Sequence, residues 1–141
     1  MAKAPVHLWI VGGLGLLWNA FGAWNYTMTQ TRDEAWLAGL SAAQRSYVES
    51  FPAWSEAAWA LGVWGGLAGA VLLLARSRHA VAAFVVSIVG LAGTTLYQFL
   101  LSSPPAEMVR GAGLILHLVI WAIAVGLLLY SVRMRARGVL R

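Results

Sequence analysis

The sequence predicts an all-α integral membrane protein, an up-down bundle of four transmembrane helices with a short periplasmic helical hairpin between the first and second. Three observations lead there. Apolar residues make up 60% of the 141 and charged residues 11%, which leaves too little polar surface to coat a water-soluble globule; the mean hydropathy is +0.73. The apolar residues fall into four runs of about 20 or more, the length that crosses about 30 Å of hydrocarbon at 1.5 Å per residue. Finally, the basic residues are sorted by side. Lys3, Arg76, Arg78, Arg133, Arg135, Arg137 and Arg141 flank one end of the runs, and Arg32, Arg45 and Arg110 the other. The positive-inside rule places the richer side, with both termini and the 76–79 loop, in the cytoplasm.

A chain of this length forms one membrane domain, 1–141, with spans at about 5–27, 52–75, 80–101 and 108–132. The first run resembles a signal peptide, but Phe21-Gly22-Ala23 is a poor cleavage site and the run is long enough to span, so a retained helix is expected. The segment 28–51 is too polar to insert. Thr31-x-x-Glu34 reads as a capping box opening a short helix through Leu40; Ser41-x-x-Gln44 reads as a second, opening a helix that Pro52 stops. Leu40, Ala43, Tyr47 and Phe51 share a face of that second helix. They make it either a hairpin over the external mouth of the bundle or a loop helix resting on headgroups. The remaining connections are tight: Arg76 to His79, and Ser102 to Glu107, where Pro104 and Pro105 cannot continue the third helix.

Each span carries one stripe of small or polar residues at helical spacing. Leu8, Gly12, Gly15, Asn19, Gly22 and Tyr26 share a face of the first; Ser55, Trp59, Gly62, Gly66 and Gly69 a face of the second. In the third the stripe is Ser87, Gly90, Thr94 and Tyr97, and in the fourth Arg110, Gly113, His117 and Ala124. Helices in lipid associate through close backbone approach and buried polar contacts, so these stripes are expected to face one another. Given the orientation, their polar members all fall in the external half. The expectation is a polar pocket facing the periplasm and sealed on the cytoplasmic side.

The residues expected to line it are Asn19, Tyr26, Glu56, Trp59, Tyr97, Gln98, Arg110 and His117. His117 lies about ten residues into the predicted fourth span, where an ionisable group needs a partner. It reads as a neutral histidine bonded to Asn19 or Tyr97, as a ligand contact, or, least of the three, as an axial haem ligand. Glu56 and Arg110, each near the external end of its span, read first as a salt bridge tying the second helix to the fourth, and second as ligand recognition. Of the eight tryptophans, Trp9, Trp24 and Trp54 fit interfacial anchors, while Trp59 shares the inward stripe. The arginine tail reads as a solvated, lipid-touching segment. Cysteine is absent, which excludes disulfides and thiolate metal sites. No phosphate loop, HExxH, GxSxG or Ser/His/Asp arrangement is visible, so no catalytic or metal residues and no cofactor are expected, and an enzyme is disfavoured.

The run Asn19-Ala-Phe-Gly22-Ala-Trp-Asn25-Tyr26-Thr-Met28-Thr-Gln, the following Arg32-Asp-Glu-Ala-Trp, the Phe51-Pro52-Ala53-Trp54 corner and Ala60-Leu-Gly-Val-Trp64-Gly65-Gly66 resemble a family of small proteobacterial four-span membrane proteins, often labelled sugar transporters. The resemblance covers most of the chain. It implies the four-span fold and the inner-membrane location. In that family an acidic residue often stands where this chain has Asn25, so a cation-coupled role for the position is not implied. Small three-span sugar carriers have a Pro-Gln pair in the first helix; this chain has four spans and no such pair.

Two functions fit these features. The first is a non-catalytic bundle whose pocket binds, or helps move, a small polar or amphipathic molecule. The second is an accessory or assembly subunit of a larger membrane complex. The fitting partners are membrane lipids, a small-molecule ligand, and a second copy or larger complex; a homodimer would use the Gly-rich second span. Nucleic acid does not fit, because the net charge of +5 is spent on topology and headgroup contact.

Overall fold

The structure is a computed structural model in which residues 2–141 are described. Every regular element among them is helical. Four helices are long and apolar enough to cross a membrane: α1 (Val6–Gln30), α4 (Ala53–Leu74), α5 (Ala80–Leu96, continued by a π-helical turn at Tyr97–Leu101) and α7 (Ala112–Ala136). Three short helices lie in the connections: α2 (Glu34–Leu37), α3 (Ala42–Glu49) and α6 (Ala106–Val109).

α1 runs three residues past its predicted end because its threonines satisfy themselves along the helix. Thr27, Thr29 and Thr31 donate their hydroxyls to the carbonyls of Ala23, Asn25 and Thr27 at 2.8–2.9 Å. Thr31 is thus the C-terminal boundary of α1 and does not cap α2, contrary to the sequence reading. The chain reverses at Arg32, which takes φ +55°. Asp33 then caps α2, accepting from the Trp36 amide at 2.9 Å. The Ser41 capping box is present as expected: the Gln44 amide donates to Ser41 Oγ at 3.1 Å and the Ser41 amide to Gln44 Oε1 at 3.0 Å.

α4 and α5 form the tightest pair, and glycine explains it. A Cβ on Gly65 would stand 2.9 Å from the Ser87 amide nitrogen, and one on Gly90 would collide with the backbone of Gly62 and Ala58. The backbones therefore touch, as small-residue packing in lipid requires. Ser87 adds a bond to the Gly62 carbonyl at 2.6 Å. The Gly-rich face of α4 is consequently covered within the chain, by α5 at Gly62 and Gly65, by Asn19 of α1 at Gly66 and by Phe84 at Gly69.

α7 begins at Ala112, four residues later than predicted. Met108 belongs instead to α6, Arg110 is extended at φ −132°, and Gly111 turns the chain at φ +55°, ψ −128°, a region open to glycine. α7 meets α1 at one end only, where Leu127 packs on Gly15 and His7 Nδ1 bonds the Tyr130 hydroxyl at 2.5 Å.

That end also holds the packed core of Leu8, Ala70, Leu73, Phe84 and Met134, together with Val139 and Leu140. The four arginines of the tail, Arg133, Arg135, Arg137 and Arg141, are exposed as the sequence reading had them, but the apolar residues between them fold back onto the core. Val139 and Leu140 are buried, Arg78 and Arg76 pair with Arg141 through backbone bonds of 2.7 and 2.8 Å, and the Arg76 guanidinium donates to the carbonyls of Val139 and Ala2.

Candidate functional site

Toward the other end α1 and α7 diverge, and an internal cavity of about 620 Å³ opens between α1, α4, α5 and α7. Five of the eight predicted residues line it: Asn19, Trp59, Tyr97, Gln98 and His117. The three that do not are Tyr26, Glu56 and Arg110.

Asn19 hangs from α1 by a bond from its Nδ2 to the Gly15 carbonyl at 2.7 Å, which aims Oδ1 at Gly66 across the interface. Tyr97 and Gln98 sit on the π-helical turn, a helix irregularity frequent at functional sites. The Ser102 hydroxyl closes that turn onto the Tyr97 carbonyl at 2.8 Å. Tyr97 stands among Phe51 and Trp54, with ring centroids 5.4 and 5.5 Å away, and Gln98 Nε2 reaches the Met108 carbonyl at 3.5 Å.

His117 is the sixth residue of α7, closer to the helix end than the sequence reading placed it, because α7 starts late. Its partner is neither Asn19 nor Tyr97. Nε2 lies 3.2 Å from Thr95 Oγ1, and the ring packs on Phe99 with centroids 4.9 Å apart. Thr95 Oγ1 also donates to the Leu91 carbonyl at 2.8 Å and accepts from Trp121 Nε1 at 3.0 Å. With its one hydrogen on Leu91, the hydroxyl can only accept from His117. In that arrangement Nε2 carries the imidazole hydrogen and Nδ1 is an acceptor.

Tyr26 is half-buried outside the cavity, where its ring meets those of Trp59 and Trp64 edge-on at 5.0 and 6.4 Å. The expected Glu56–Arg110 salt bridge is not formed. Arg110 is exposed on the extended link before α7, and Glu56 is half-buried on α4 away from the cavity. Among the described residues the ion pairs are Arg45 with Glu34 at 3.5 Å and with Glu49 at 3.1 Å, both at the surface, where such pairs contribute little. The Glu49 hydrogen bond, then the Glu34 charge, raise the Arg45 guanidinium above its ordinary pKa.

The wall that the site reading lacked comes from the segment between α1 and α4. Trp36, Leu40, Gln44, Val48 and Phe51 line the cavity, as do Thr29 near the end of α1 and Glu107 of α6. Two contacts fasten this cover: the Ser41 hydroxyl donates to Glu107 Oε1 at 2.5 Å, and Tyr47 and Ser102 share a hydrogen bond of 2.7 Å. Burial pushes the Tyr47 phenol above its ordinary pKa, against the opposing pull of the Ser102 bond. The shared face of Leu40 and Phe51 was the signal for this wall, but it did not say which side chains would reach inside.

No group of three or more His, Asp or Glu side chains converges as a metal set among the described residues. Compared with protein-family models, curated proteins and solved structures, the chain matches none.

Proposed function

We propose that this protein is a non-catalytic up-down bundle of the bacterial inner membrane, with both termini cytoplasmic, whose periplasm-facing pocket binds or helps move a small polar or amphipathic molecule. One observation carries the reading. The half of the bundle away from the packed core holds a cavity of about 620 Å³ in which Asn19, Tyr97, Gln98 and His117 present polar atoms beside the Trp59 ring. That combination of apolar wall and few convergent polar groups is the usual make-up of a small-molecule site. The distribution of Lys and Arg supports the orientation, with α2 and α3 as a periplasmic hairpin. The resemblance to small proteobacterial four-span proteins supports the location.

The test is native mass spectrometry of the protein released from nanodiscs, with an absorption spectrum of the same sample. A retained molecule other than a bilayer phospholipid, at one per chain, is the expected result, reduced in His117→Ala and Asn19→Leu variants that remain folded. A Soret band would contradict the reading, since it would make His117 a haem ligand.

A second reading, an accessory or assembly subunit, is favoured by α7. Leu114, Ile115, Leu116, Leu118 and Val119 are all exposed, and only Leu127, Ser131 and Met134 of that helix are buried. A partner helix would find this face free. A bare chain that co-purifies with one stoichiometric larger partner would select this reading.

A further inference from the structure

We infer that the cavity takes a single-chain amphiphile with an uncharged or cationic head, which enters sideways from the lipid between α1 and α7. This inference rests on the pocket reading above and specifies its ligand.

Shape comes first. On α7 the lining runs from Gly113 to Leu127, about 21 Å at 1.5 Å per residue. A cavity of about 620 Å³ drawn out over that length is a slot, suited to an extended hydrocarbon chain and poorly suited to a compact sugar ring. Its deep half is walled by Phe84, Ile123, Ala124 and Leu127 with Asn19 and Ser87 as the polar side chains there, and Gln44, Tyr97, Gln98 and Glu107 lie toward the α6 end.

Access comes second. Phe21 of α1 and Leu116 of α7 both line the cavity, yet they are 59% and 53% exposed, so they stand at an opening. Between them a Cβ on Gly22 would meet nothing within 4 Å. The lips of this opening are apolar and face lipid. The end toward water is covered by Trp36, Leu40, Gln44 and Phe51 and fastened by the Ser41–Glu107 and Tyr47–Ser102 bonds.

Charge comes third. Glu107 is the one charged side chain among the lining residues, and no Lys or Arg is among them. An anionic head would meet a carboxylate and no counter-charge. A neutral hydroxylated head would find the Gln44 and Gln98 amides, and a cationic one Glu107 and the Trp36 and Tyr97 rings.

The test offers the protein in phosphatidylcholine nanodiscs equal trace amounts of dodecyl glucoside, dodecyltrimethylammonium and laurate, with glucose as the chain-free control. Native mass spectrometry counts what each released chain retains. The glucoside and the ammonium are expected at one per chain, about tenfold over laurate, with glucose not retained. Gly22→Trp, which fills the opening, should lower retention about tenfold. Gly13→Trp, on the same helix, where a Cβ also meets nothing within 4 Å but outside the cavity lining, should leave it unchanged. Should Gly22→Trp not fold, Ala124→Phe fills the deep half instead. Retention of glucose alongside its dodecyl derivative would overturn the amphiphile and leave the pocket reading standing. Equal retention of laurate would overturn the head assignment, and equal retention by Gly22→Trp the lateral route. Retention of none of the probes would overturn both readings together.

Discussion

Thr95 joins α5 to α7 through one hydroxyl, which donates to Leu91 and meets both Trp121 Nε1 and His117 Nε2. Thr95→Val keeps the volume and leaves two ring nitrogens without a partner in an apolar setting, a loss of about 1–3 kcal/mol. Thermal unfolding in detergent should show it, and an unchanged midpoint would remove Thr95 from the account. The glycines allow a sharper comparison. A Cβ at Gly90 collides with the backbone of Gly62 and Ala58, which cannot swing aside as a side chain can, so Gly90→Ala should cost about 1–3 kcal/mol. At Gly22 the same substitution enters open space and should be neutral, or stabilising by up to about 1 kcal/mol through helix propensity. Both positions lie on inward stripes in the sequence. Spacing told their direction and could not tell a filled interface from a crevice. Tyr26 shows the same limit, since periodicity put it on the inward stripe but its ring lies outside the cavity, half-buried against Trp59 and Trp64.

The short cover between α1 and α4 depends on few bonds. Ser41 serves both its capping box and Glu107, so Ser41→Ala should loosen α3 by about 1 kcal/mol, visible as faster amide exchange over 42–49 with the four long helices unaffected. Tyr47 adds a pH dependence. Burial raises its folded pKa above the unfolded value of about 10, so the folded state holds its proton longer. The stabilisation is complete below that value and is lost as pH rises through the raised pKa. Exchange over α3 should therefore accelerate, beyond its intrinsic rise, in the same alkaline range in which tyrosinate absorbance appears. Tyr47→Phe should remove this step. Of the two capping boxes read from sequence, Ser41-x-x-Gln44 exists and Thr31-x-x-Glu34 does not, because Thr31 can bond its own helix at Thr27 and Asp33 is better placed to cap. The start of α7 was missed for a related reason. Apolar periodicity runs unbroken from Met108, and only the backbone of Gly111 marks the break, which took Arg110 out of the bundle and away from Glu56.

At the scale of the whole molecule the four stripes pointed to the half of the bundle that holds the cavity, though not to its outer wall, because close packing in lipid forces small and polar faces together. Asn19, Trp59, Tyr97, Gln98 and His117 were legible for that reason. The seating of 139–141 on the 76–78 turn was not, since Val139 and Leu140 are two apolar residues with no periodicity of their own and the Arg76, Arg78 and Arg141 bonds that hold them go to backbone. One end of the bundle is clamped and tightly packed, while α7 stands off α1 at the other, and the account rests on that asymmetry being real in a bilayer. A density map of the protein in a native nanodisc tests it most directly. The account predicts an open slot between α1 and α7 with elongated non-protein density beside Asn19, Ser87 and His117. A map with α7 swung onto α1, Leu116 packed against Gly22 and no space between them would contradict it.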